Sequence, residues 1–364
     1  MSPRRIVMRL LPRNGAGLLA VACMCAAMAG CATEPPTFHY NLTGTQRVWP
    51  GKPETPRYRY VGQLFGAQNF KIEGNSLYKT GRKVLHWLVG LGSGGDSGPV
   101  QLERPQGVTV DAQGRVFVTD VSVPGVFVFD KPAGRLRVWH MATKDQRFKS
   151  PVGIALADKG EVLVADADLK MVVRLNSHGK PIGAFGKGRL VRPTGLARDP
   201  KTGRVYVADT GAHRIEVFTA DGMHVDTIGA PGVRPGRFNR PTYLYIAHDR
   251  LYVSDTLNAR IQILSLDGKV IRTFGRRGIF IGDTPRPKGV AVDKDGNVYV
   301  VESYYDYLLV FNAEGKLLLP IGGTGDAIGR FYLPAGIWID QKQRVYVSDM
   351  FNGRVVIFQY LGGA

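Results

Sequence analysis

Two markers recur in step through most of the chain. Proline stands at positions 105, 151, 193, 241, 287 and 334, at intervals of 42 to 48 residues. An acid follows each proline 14 to 16 residues later: Asp120, Asp166, Asp209, Asp255, Glu302 and Asp349. Markers that stay in register through six units define a repeat. A repeat of this period is one supersecondary unit that buries its faces only by stacking on copies of itself.

The stretch from Arg192 to Gly229 shows what the unit is. Four short runs, GLAR, RVYVAD, RIEVF and HVDTIG, alternate apolar and polar residues. Asp199-Pro200, Gly211 and Asp221-Gly222 separate them as turns. Four such strands make one small twisted antiparallel sheet, too small to stand alone. The expected fold is therefore all-β: a six-bladed β-propeller of four-stranded blades.

The segments RPQGVTVDAQGRVFVTD, RPKGVAVDKDGNVYVVE and LPAGIWIDQKQRVYVSD carry the pattern P-x-G-[VI]-x-V-D-x-x-G-x-V-[YF]-V-x-D. With the R-[IV]-x-[VI]-F and [IF]-G runs that follow, the chain resembles the NHL-repeat family from about Arg57 to Leu361. The resemblance implies the propeller fold. It implies much less about chemistry, because such propellers serve as binding platforms, scaffolds and occasionally enzymes.

Residues 1–30 read as a secretory signal. Arg4, Arg5, Arg9 and Arg13 precede the small-residue apolar run AGLLAVACMCAAMAG, which is too short and too rich in Ala and Gly for a permanent span. Ala29-Gly30-Cys31 resembles a lipobox, with Met28 in place of the usual leucine. It implies cleavage that leaves Cys31 as a lipidated N-terminus. Cys23, Cys25 and Cys31 are the only cysteines, so the mature chain would keep no thiol for a disulfide, a nucleophile or a metal. Ala32 after the cysteine resembles lipoproteins of an outer membrane. The expected location is the cell envelope, on the periplasmic or surface side.

Residues 31–56 read as a polar tether and residues 57–364 as the propeller. The run RYVGQLFG matches the fourth strand of a unit, and the sixth unit stops after its third strand, RVVIFQYL. The N-terminal strand is thus expected to complete the last blade and close the ring. Between them lies an irregular insertion, about 67–104. Leu77, Val84, Leu85 and Leu88 are spaced for a short amphipathic helix there. GLGSGGDSG follows and matches G-x-G-x-x-G in a context that cannot open a phosphate-binding helix, so it reads as a linker.

Three units add an arginine five residues after the repeat acid: Asp209/Arg214, Asp255/Arg260 and Asp349/Arg354. These read as structural ion pairs between adjacent strands. Gly125, Met171 and Tyr307 replace the arginine elsewhere, and the loop ESYYDY places Tyr304, Tyr305 and Tyr307 as candidates for holding a partner. The seven histidines show no metal spacing. In the NHL-type amidating lyases, which the repeats resemble, metal-binding histidines occupy the x of P-x-G. Here those positions are Gln106, Val152, Thr194, Thr242, Lys288 and Ala335, with no histidine or carboxylate. No metal or other cofactor is expected. A metal-dependent lyase or a lactonase-like enzyme remains the alternative to a binding propeller.

Charge points to the ligand. The chain carries a net +18. The five connections from a fourth strand to the next first strand, residues 141–150, 186–192, 230–240, 276–288 and 323–333, hold 14 basic and 3 acidic residues. All lie on one end of the expected propeller. Arg104, Arg192, Arg240 and Arg286 immediately precede repeat prolines, and Lys288 follows one. They are expected to ring the channel mouth as an anion site for an acidic glycan, a lipid phosphate or an acidic surface of an envelope protein. Some NHL propellers bind RNA on this end, but an exported protein does not meet cytoplasmic RNA, which argues against nucleic acid.

Overall fold

The computed structural model describes residues 37–40, 46–71 and 100–362. The expected signal sequence, Cys31 and the expected helix around Leu77–Leu88 lie outside the described residues.

In the third unit the four runs become Pro193–Arg198, Val205–Asp209, Arg214–Phe218 and His224–Ile228, hydrogen-bonded in that order. Val205, Tyr206, Val207 and Ala208 are all buried, on both faces, because a neighbouring blade covers each side. The outermost strand is mostly exposed, so only there does one face meet water. Its turn needs glycine. Gly222 has φ 93°, and a Cβ on it would come within 2.7 Å of Phe185 in the preceding blade. The outer turns of blades two, four and five pack in the same way, Gly179 on Trp139, Gly268 on Ile228 and Gly315 on Phe274 of the preceding blade's fourth strand.

Six such sheets form the ring. Blades one to five start at Pro105, Pro151, Pro193, Pro241 and Pro287. The last blade has Pro334–Ile339, Arg344–Asp349 and Arg354–Tyr360 from the C-terminus. The N-terminal strand Tyr58–Leu64 pairs antiparallel with Arg354–Tyr360, from Val355 opposite Leu64 to Tyr360 opposite Tyr58. The ring therefore closes with a strand from each end of the propeller. Closure covers the third strand's edge, which is otherwise a template for pairing with another chain.

The tether contributes more than expected. Val48–Trp49 adds a fifth strand outside Tyr58–Leu64. Trp49 meets Phe358 edge-on at 5.3 Å, and Arg47 lies 5.1 Å from the Trp49 ring centre. Thr37–Phe38 pairs with Phe70–Lys71 at the start of the insertion. Asn69 holds that corner, accepting from the backbone N–H of Phe65 and donating to the carbonyls of His39 and Gln63. Gly66 bridges to Gln101, so the chain leaves the ring and rejoins it at one point.

Candidate functional site

Each inner strand starts at its proline and runs down the channel. The second residue of each, Gln106, Val152, Thr194, Thr242, Lys288 or Ala335, lines one cavity of about 420 Å³ at the mouth. Arg192, Arg240 and Arg286 stand on its wall, and no acid belongs to its lining. Three of the four expected arginines are thus gathered with Lys288. Arg104 is not among the lining residues: its guanidinium lies 5.2 Å from the Phe351 ring centre.

Blades three and four supply a collar of hydroxyls that is already committed. Thr194 donates to the Thr242 carbonyl at 2.8 Å, and Thr256 donates to the Pro287 carbonyl at 2.8 Å. Thr242 and Thr256 share a hydrogen bond of 2.6 Å. Side by side with this collar, blade five presents Lys288. Half-buried, its ammonium has no hydrogen bond or ion pair among the described residues. Burial, and after it the charge of Arg286, hold this amine below the usual lysine range.

The three rim arginines differ. Arg192 pairs with Asp168 at 2.9 Å, with both side chains about half exposed, a contact of small energy in water. Arg286 lies 5.7 Å from the Tyr304 ring centre, a cation–π contact. Arg240 has φ 52°, its backbone N–H reaches His213, and its exposed guanidinium engages no partner among the described residues.

The three tyrosines divide between the rim and a small side cavity. Tyr304 is exposed on the rim and meets Tyr305 edge-on at 4.8 Å. Tyr305 and Tyr307 turn instead toward the loop carrying Ile279, Phe280 and Ile281, around a cavity of about 140 Å³. That loop displays three consecutive apolar side chains to solvent beside Arg276 and Arg277.

The repeat acids stand behind the mouth as anchors, all buried. Asp120 accepts four backbone N–H groups, from Glu103, Arg104, Ser122 and Val123, and so ties the loop before the inner strand to the turn after the second. Glu302 does the same for Arg286, Tyr304 and Tyr305. Backbone donors thus serve the units that lack an arginine.

Where arginine is present, two of the three expected pairs form: Asp255–Arg260 and Asp349–Arg354, each at 2.8 Å. The third does not. Asp209 and Arg214 face each other in the register, but Arg214 turns to Glu216 at 2.7 Å. Glu216 is fully buried on the third strand and also draws His224 and Arg189. Blade four has Gln262 at that register position and blade six has Val356, so nothing there competes for the arginine.

Comparison with known proteins follows this architecture. The NHL repeat model matches residues 190–218. The human NHL repeat-containing protein 3 is 28% identical over 157 residues, 40% of this chain and 43% of that protein. The chain therefore spans less than half the length of that relative. Among solved structures, a gluconolactonase from Xanthomonas campestris superposes with a TM-score of 0.58 at 15% identity, over 90% of this chain and 99% of the other. A streptogramin B lyase gives a TM-score of 0.54 at 14% identity, over 71% and 94%. Likeness at that identity carries the fold alone. By its ring of blades this chain is a six-bladed β-propeller, and residues 190–218 of it match the NHL repeat.

Proposed function

We propose that the protein is a non-catalytic binding propeller of the cell envelope, which seats a carboxylate or phosphate group on Lys288 at the channel mouth. The observation that carries this reading is the Lys288 ammonium, desolvated beside Arg286 with no hydrogen-bond or ion-pair partner among the described residues. Like charges gathered in a part-enclosed cavity repel, and a bound anion relieves both the repulsion and the missing hydrogen bonds. Arg240 is free to close on the same anion, and Arg192 and Arg286 need give up only weak surface contacts. The anion belongs to an acidic glycan, a lipid headgroup or an acidic protein segment. The basic leader and the Ala29-Gly30-Cys31 motif support export and lipid anchoring at Cys31.

A lyase or lactonase-like activity needs a base or a metal ligand near the bound group. The six mouth positions bring no histidine and no carboxylate. Calorimetric titration of the purified chain with galacturonate and glycerol phosphate, against galactose and glycerol, tests the proposal. The charged compounds should bind, more weakly as salt rises, and Lys288→Gln should abolish their binding. Equal binding of charged and uncharged compounds, or binding that survives Lys288→Gln, sinks it.

A further inference from the structure

Two connecting loops meet at the mouth end of blade four. The loop 230–240 leads into the blade: its Gly232 carbonyl accepts from Asn258 and its Arg234 carbonyl from Arg260, each at 2.9 Å. The loop 276–286 leads out of it: Thr284 donates to the Ala259 carbonyl at 2.8 Å and Arg277 to the Leu257 carbonyl at 3.1 Å. Both loops are thus fastened to the same stretch, residues 257–260.

Each loop puts apolar side chains into water. Ile279, Phe280 and Ile281 are 76, 69 and 59% exposed, and Val233 in the other loop is 73% exposed. Large apolar side chains this open on adjoining loops mark an interaction surface. The longer tip is held in shape from inside. The buried Asp283 carboxylate accepts the Phe280 N–H at 2.9 Å and the Arg276 Nε–H at 2.7 Å, and the Asp283 N–H donates to the Phe280 carbonyl at 3.0 Å. Docking of a tip already fixed in this way orders little chain.

The charge around the apolar residues has one sign. Arg234, Arg237, Arg276 and Arg277 are exposed in the two loops. Asp283 is the one acid in either loop, and it is buried and paired with Arg276. The partner is therefore anionic as well as apolar. Its kind follows from the shape. Three consecutive open side chains stand on a loop tip, and the cavity behind them, about 140 Å³, is far smaller than a ligand pocket. Apolar side chains flanked by arginines suit an anionic bilayer: the hydrocarbon enters the acyl boundary while the guanidiniums stay with the phosphates.

We infer that this end of the propeller docks on an anionic lipid bilayer, with Ile279, Phe280 and Ile281 inserted between headgroups and Arg234, Arg237 and Arg277 on lipid phosphates. The contact requires neither Lys288 nor an acyl chain on Cys31.

Phe280→Trp adds one indole at the tip to the four of the parent chain. The full chain with and without this change, both carrying Cys31→Ser so that no acyl group contributes, is titrated with vesicles whose lipids are brominated on the acyl chains. On phosphatidylglycerol the Phe280→Trp chain should be quenched more than its parent; on phosphatidylcholine it should not. Adding Arg234→Gln and Arg277→Gln should raise the lipid concentration that gives half of the extra quenching by about twentyfold, roughly fivefold per arginine. Unchanged melting temperatures show that the variants are folded. No extra quenching on phosphatidylglycerol overturns the inference and leaves the patch to an acidic protein. Equal extra quenching on both lipids, or a half-point that the two glutamines do not move, overturns it too, because charge then plays no part.

Discussion

The hydroxyls of Tyr58 and Tyr299 lie 2.8 Å apart, linking the closing strand to blade five. Tyr299 donates to Asp293 at 2.9 Å, so Tyr58 is the donor to Tyr299. The contact is buried, and it belongs to the hydrophobic cluster at the seam, with Tyr360 and Phe358 close by.

Removing residues 57–66 takes away this link and the whole strand Tyr58–Leu64, and it uncovers the edge of Arg354–Tyr360. The truncated chain should aggregate or melt far below the parent. Tyr58→Phe alone leaves the Tyr299–Asp293 bond in place and should cost about 1 kcal/mol. Thermal melting of the two variants checks this, and a truncated chain as stable as the parent would refute closure by this strand.

The arginines that follow the repeat acids should not be equivalent. Arg354 is buried and bonds to Asp349, Gln63 and the carbonyls of Asp326 and Arg330. Arg354→Met leaves the Asp349 carboxylate without its cation and should cost about 3–5 kcal/mol. Arg214 is about one-third exposed, and Glu216 keeps His224 and Arg189 when it is lost. Arg214→Met should cost about 1 kcal/mol or less. Denaturant titration of the pair measures the difference, and equal losses would mean that burial does not set the ranking.

These two cases also show what could be read before folding. Six units and the closing strand were legible because each marker sits at a fixed place in a repeat. The Val48–Trp49 strand was not, since two residues make no pattern and Trp49 is placed by Phe358 across the blade. The switch of Arg214 needed the strand register, although Glu216 inside RIEVF was a visible break in an apolar run. Their offsets to proline place Arg192, Arg240, Arg286 and Lys288 at the channel mouth, where the structure has them, whereas Arg104, one residue before its own proline, lies against Phe351. Tyr243 was in plain sight as P-T-Y among five P-x-G units. That a glycine at this place lies against a carbonyl of the next inner strand, as Gly195 does against Thr242, is visible only in the structure.

The proposed anchoring at Cys31 has its own test. A clickable fatty acid fed to the expressing bacterium should label the wild-type chain, and Cys31→Ser should abolish the label and release or stall the protein. An unlabelled wild type would overturn the proposed lipidation.

The mouth should weaken the fold that carries it. Burial and the nearby Arg286 depress the Lys288 amine below its ordinary value of 10.5. A lysine with a lowered folded pKa destabilises the native state wherever it is charged. Between its folded pKa and 10.5, the unfolded chain binds more protons than the native one, so stability rises with pH across that window. Lys288→Met keeps the length of the side chain and removes the charge. It should melt above the parent at neutral pH, and the gap should narrow as pH climbs through the window. Saturating galacturonate at neutral pH should raise the parent's melting temperature by mass action and leave the variant's unchanged. Melting curves across this range of pH decide the matter. A variant that melts below the parent at neutral pH would show that the ammonium already has its partner within the fold, and the mouth would then have no standing need of an anion.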